Sequence, residues 1–186
     1  MRRRVREGLN RFRDAFGADP KVHANHVGQR EAVYWGPDRF DAPMGWLYGA
    51  YRRSRRPEHY EGAKTGSPWF WGDLCRSRIR YVRNMVFREV NTLKADPLMP
   101  YRDPSRPLVE HWFSASYGAT PDDFCEFLSE ANQDRLVEEQ GACIVYTHFG
   151  GRFTPMSRRF EDLIRRVSSL PGWFVPVSTL LDYVGA

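Results

Sequence analysis

Apolar residues recur at a spacing of three and four through the first sixteen positions. Val5, Leu9, Phe12 and Phe16 fall on one stripe with arginines between them, which predicts an amphipathic helix over 2–16. Gly17 ends it, and Pro20 follows where a helix cannot continue. Val22 and Ala24 predict a short strand over 21–25, and 26–43 reads as a loop rich in Gly, Pro and aromatic residues. Met44, Leu47, Tyr48 and Tyr51 predict a helix over 44–53. The polar stretch 54–70, broken by Pro57, Gly62, Gly66 and Pro68, is a loop long enough to suggest a functional role. From Asp73 a helical pattern resumes through Leu74, Ile79, Val82 and Val86, and near Arg88 it gives way to a predicted strand, Glu-Val-Asn-Thr-Leu. Pro97, Pro100, Pro104 and Pro107 mark an exposed connection.

The last third alternates. Val109 to Ala115 predicts a strand, and Thr120-Pro121-Asp122-Asp123 a helix start with a Thr cap, Pro in the first turn and acids near the positive dipole end. That helix is predicted to run to about Glu139, with Gly141 ending it. The near-continuous apolar run Ala142 to Thr147 predicts a strand buried on both faces. Ser157 to Ser169 predicts a helix, Trp173 to Val177 a strand, and Ser178 the cap of a final helix to Val184. Such alternation implies α/β architecture with mostly parallel strands, which an open sheet and a barrel both satisfy. One domain over 1–186 is expected.

Charge and composition narrow the class. Of 28 Lys/Arg only Lys21, Lys64 and Lys94 are lysine, and the net +5 is concentrated in residues 1–60, with 13 basic against 7 acidic. Arginine suits planar anions, so the basic excess points either to nucleic acid or to a solvated surface. The clusters Arg2-Arg3-Arg4 and Arg52-Arg53-Ser54-Arg55-Arg56 fall in a helix start and a loop, which favours the surface. No long apolar run exists, so no membrane partner is expected, and the basic start lacks the apolar stretch of a secretory signal. Cys75, Cys125 and Cys143 lie far apart with no Cys-x-x-Cys pair, which predicts free thiols in a cytoplasmic protein. There is no Gly-rich nucleotide motif and no Gly-x-Ser-x-Gly elbow.

In parallel α/β folds ligands gather beyond the carboxyl ends of strands. His148, directly after the run 142–147 and before Gly150-Gly151, is the leading candidate, because imidazole exchanges protons near neutral pH. His23, Asn25 and His26 sit at the end of the first strand, and Ser116 at the end of the strand 109–115. His23, His26 and His148 together would offer three imidazoles to zinc. His59 reads as exposed, and His111 as a strand residue facing core or cleft. Trp35, Trp69 and Trp112 offer flat apolar faces on which sugar rings stack, or else pack a core.

Two segments resemble the C-terminal end of polysaccharide deacetylases, the carbohydrate esterase family 4 type: Glu138 to Gly150 (EEQGACIVYTHFG) and Gly172 to Val184 (GWFVPVSTLLDYV). Phe16 to His26 (FGADPKVHANH) is similar to that family's mid-domain helix-strand unit. The resemblance implies a distorted or incomplete (β/α) barrel and removal of acetyl groups from a glycan with a divalent metal, zinc or similar. It implies that His148 protonates the leaving group and that His23 and Asn25 occupy substrate-binding positions, although the family's Arg-x-Pro-Tyr pattern is absent. The family's Asp-Asp pair and H-S/T-x-x-H pair are also absent. The expectation is therefore a domain lacking the N-terminal metal-site strands. It would be an active deacetylase or a non-catalytic carbohydrate-binding remnant, with exposed strand edges that favour homo-oligomers.

Overall fold

The computed structural model describes residues 1–53, 59–148 and 156–185. The side chains of the cluster Arg52 to Arg56 and the run Phe149-Gly150-Gly151 lie outside the described residues. Among the described residues no helix is long and apolar enough to cross a membrane.

Helix α1, Arg2–Phe16, forms as its apolar stripe predicts. Gly17 adopts φ 76° and its N–H returns to the Arg13 carbonyl, a left-handed cap that suits a residue without Cβ. Leu9 is buried against Val33, Trp71, Leu74, Cys75, Ile79, Val82, Val109 and Trp112. Arg2 forks onto Asp73 at 2.6 Å at the first turn of α3, Gly72–Arg78. Between them come α2, Met44–Arg53, and a single 3-10 turn at Gly36–Arg39.

The sheet has three strands in spatial order β1-β2-β3: Val22–Ala24, Tyr81–Phe87 and His111–Ser116. Strand β1 pairs parallel to β2 with His23 opposite Val82. Strand β3 runs the same way, since His111 N donates to Arg80 O and Tyr117 N to Phe87 O. A single parallel bridge, Ser116 to Val145, continues the order.

Several expectations are corrected here. The segment 79–86 is not helix. Its apolar spacing mimics a helix, but Tyr81, Val82, Arg83 and Asn84 are all buried in a strand flanked on both sides, so period-two alternation is lost. Residues 89–93 are not strand: Asn91 caps a four-residue helix α4, Thr92–Ala95, by accepting from Lys94 N. The helix expected over 120–139 is two, α5 (Pro121–Phe127) and α6 (Glu130–Glu138). The break is held by buried Gln133, whose Nε2 donates to the carbonyls of Leu128 at 2.8 Å and Leu163 at 3.2 Å. Residues 142–147 form one bridge rather than a full strand. Residues 173–177 form none, with Trp173 and Phe174 exposed. Helix α7, Arg158–Ser169, is capped by Ser157, and α8 covers Val177–Val184 with Pro176 at its cap, so Ser178 lies inside the helix and does not cap it.

The chain divides into two compact units, residues 1–84 with 100–112, and 85–99 with 113–186. The first holds 20 Lys/Arg against 11 Asp/Glu, net +9, and the second 8 against 12, net −4. The first unit's core is the cluster around Leu9 and Trp71. In the second, Phe124, Leu128 and Phe160 pack together, the two phenylalanine rings 4.8 Å apart.

Asn25 fixes the loop after β1. Its Nδ2 donates to Val33 O at 3.0 Å, its Oδ1 accepts from Val33 N at 3.1 Å, and its own carbonyl accepts from Arg83 Nη2 at 2.8 Å. All of this is buried, so Asn25→Ala strands two backbone groups. We expect a loss of about 2–4 kcal/mol in urea unfolding, and a loss below 1 kcal/mol counts against this role.

Candidate functional site

The parallel order puts the carboxyl ends of neighbouring strands side by side. In the second unit three such ends are adjacent: Arg88 follows β2, Tyr117 follows β3, and Tyr146 to His148 follow the bridge at Val145.

His148 is exposed. Its backbone N–H and its ring Nδ1 both meet the Ala119 carbonyl, at 3.0 and 2.8 Å. A carbonyl only accepts, so Nδ1 carries the proton and the neutral ring has its lone pair on Nε2. The Tyr146 ring stands edge-on to the imidazole, 5.3 Å away at 83°.

The residue that offers this carbonyl is itself held. Thr120 and Asp123 form a capping box at the start of α5. Asp123 Oδ2 accepts from Thr120 N at 3.1 Å, Thr120 Oγ1 at 2.7 Å and the Tyr117 hydroxyl at 3.3 Å. These donors, Thr120 first, hold the Asp123 carboxyl below its ordinary range, while the charge of Asp123 pushes the Tyr117 phenol up. Arg88 is exposed, and its guanidinium lies 5.1 Å from the centre of the Tyr117 ring. Arg88 and Tyr146 were not among the sequence candidates. Reading β2 as helix hid Arg88, whose signal is simply its place one residue past a strand end.

The other candidates lie elsewhere or do other work. Ser116 is fully buried and donates to Glu89 O at 2.7 Å, so it is a structural hydroxyl with no face for substrate. Trp112 is 1% exposed inside the core, where no sugar can stack on it. Trp35 is buried with Ala32 and Tyr60, and Arg39 covers its ring at 4.0 Å. Trp69 is partly buried beneath Arg30. Asn25 is spent on Val33.

His23 and His26 are partly buried, and His59 is exposed. The His23 ring packs edge-on to Trp71 at 5.0 Å. His111 accepts from Arg102 Nε at 3.1 Å on Nε2. Among the described residues no three His, Cys, Asp or Glu side chains form a group that could hold a metal, and the three-imidazole site gains no support.

Two measurements follow. In ring-nitrogen NMR near pH 8, His148 should show the Nδ1–H tautomer, and Asp123→Ala should shift it toward Nε2–H by freeing the Ala119–Thr120 turn. An unchanged tautomer in that variant would separate the turn from the ring.

Burial lowers His23 to about 4 from 6.5. The unfolded chain then takes the proton first as pH falls. Stability is full above pH 6.5 and declines between there and about 4, by ~3 kcal/mol for the whole shift. His111, lowered mainly by burial, adds in the same direction. His23→Phe should flatten most of the slope of urea midpoints from pH 7 to 4.5, and a slope equal to the parent's overturns this assignment.

Compared with known proteins, the chain matches no family model, no curated protein and no solved structure.

Proposed function

We propose that this chain is a carbohydrate-acting domain of the polysaccharide deacetylase type, with an acetylated sugar seated at the strand ends and His148 as its proton-transfer group. One observation carries the reading: an exposed imidazole directly beyond a parallel strand segment, held through Nδ1 by a backbone carbonyl.

The strand order supports the barrel part of the proposal. Each later strand joins next to the one before it, through β3 and the Val145 bridge, without the reversal of a doubly wound sheet. We read the sheet as an arc of a distorted (β/α) barrel. Three free cysteines fit the cytoplasmic setting we propose for it.

In deacetylation water adds to the acetyl carbonyl, the bond from carbonyl carbon to the sugar nitrogen or oxygen breaks, and the departing atom takes a proton. Protonated His148 supplies that proton from Nε2. Its Nδ1–H bond to Ala119 O keeps the ring oriented for that transfer. The divalent metal that the resemblance implies finds no fitting set of donors among the described residues. No step is assigned to it. That disagreement favours a second reading, carbohydrate binding without turnover.

One assay separates the two. The deacetylase reading expects acetate release from N-acetylglucosamine oligosaccharides with added zinc or cobalt, falling at least a hundredfold in His148→Ala. Binding without acetate release, weakened by the same substitution, supports the second reading. Neither binding nor release overturns both.

A further inference from the structure

The same strand ends carry a cation whose role the proton chemistry does not explain. Arg88 is exposed one residue beyond β2, and among the described residues it forms no ion pair. Basic side chains nearby do: Lys94 meets Glu139 at 2.5 Å and Arg135 meets Glu89 at 2.5 Å. The carboxylate that faces Arg88 is Asp123, and it is already accepting three hydrogen bonds. Arg88 instead lies over the Tyr117 ring, which steadies a long side chain while its N–H groups remain available for a planar anion.

Distance gives the arrangement its meaning. Adjacent strands are about 4.8 Å apart, so the end of β2 lies two strands, roughly 10 Å, from the segment that carries His148. That is the scale of one sugar unit and its neighbour. The second unit is net negative, so an unpaired cation here is a local feature and not part of a general basic field.

We propose that Arg88 recognises a carboxylate on the sugar next to the acetylated one, which makes the substrate class an acidic, acetylated glycan. This rests on the carbohydrate reading of His148, and the test keeps the two apart. The probes are the tetrasaccharides of hyaluronan and of chitin. Both carry N-acetylglucosamine, but only hyaluronan alternates it with a carboxylate sugar.

Binding is followed by the NMR shift of the His148 ring and by calorimetry at about 0.15 M salt, where long-range charge effects are largely screened. The hyaluronan tetrasaccharide should bind about tenfold tighter than the chitin one. Arg88→Ala should remove that preference while leaving chitin binding unchanged, and Arg88→Lys should keep part of it. The double variant Arg11→Ser/Arg13→Ser, in the basic first unit, should keep all of it.

Equal affinity of the parent protein for both probes overturns this inference and spares the carbohydrate reading. So does an Arg88→Ala variant that loses both alike, or a preference lost with Arg11 and Arg13. Failure of both probes to bind overturns the two readings together.

Discussion

A buried pair of hydroxyls holds the carboxyl ends of the strands in place. Thr92 Oγ1 and Ser116 Oγ lie 2.7 Å apart, both residues fully buried. Around them, Ser116 Oγ donates to Glu89 O, Ile144 N donates to Thr92 Oγ1 at 2.9 Å, Thr92 N donates to Ala142 O, and Ser116 N donates to Ile144 O. The segment 142–145 is thus anchored to α4 by the Thr92 hydroxyl and N–H and to β3 by the Ser116 N–H, and needs no full ladder. This is why an apolar run that reads as a strand makes only one bridge and is still fixed. An unmet hydroxyl or amide in so dry a place costs on the order of 1–3 kcal/mol each. The relay therefore tolerates no loose member, and the position of His148, three residues beyond the bridge, depends on it.

Much of the helical framework was legible because its signals are local. The stripe Val5-Leu9-Phe12-Phe16, the Gly17 stop, the Thr120 cap and the amphipathic run that ends at Ser169 each act within one or two turns, and each marks its helix. Strand β2 was not legible. Leu74, Ile79, Val82 and Val86 satisfy a helical period, whereas buried Arg83 and Asn84 spoil the apolar run that a central strand normally shows. Arg83 Nη2 donates to Asn25 O, a contact 58 positions away in sequence that no local pattern announces. Likewise Asn91 reads as part of a β-rich pentapeptide until its amide is seen capping α4 and donating to Glu139 Oε2.

At the candidate site the same division holds. His148 could be named from its place after an apolar run. The tryptophans could not be sorted, because a ring in a loop sequence reads alike whether it covers a core or a sugar. Trp112 and Trp35 cover cores. Ser116 does stand at the end of β3, but its side chain points into the relay. Which side of a strand end a residue faces depends on register, and a shift of one residue reverses it. Arg88 and Tyr117 face the other consequence of that rule. Tyr117 follows Ser116 at a strand end already legible in the sequence, whereas Arg88 stands out only once β2 is known to end beside β3.

The uneven charge of the two units bears on how an anion would be chosen. A net +9 in the first unit attracts any polyanion at long range, and this attraction weakens as salt shortens the Debye length to about 8 Å. It can raise encounter rates but cannot tell an acidic glycan from a nucleic acid. The second unit, at −4, works against indiscriminate anion binding, so an anion is held there only where a particular guanidinium is aimed at it. Arg88, steadied over Tyr117 beside an aspartate engaged with Thr120 and Tyr117, meets that condition by geometry and not by field. On the proposed reading, selectivity is a property of strand-end spacing. The hydroxyl relay fixes segment 142–145 against α4 and β3, and in that proposal the spacing of the strand ends, about 4.8 Å per strand, decides which sugar sequence presents its carboxylate and its acetyl group together.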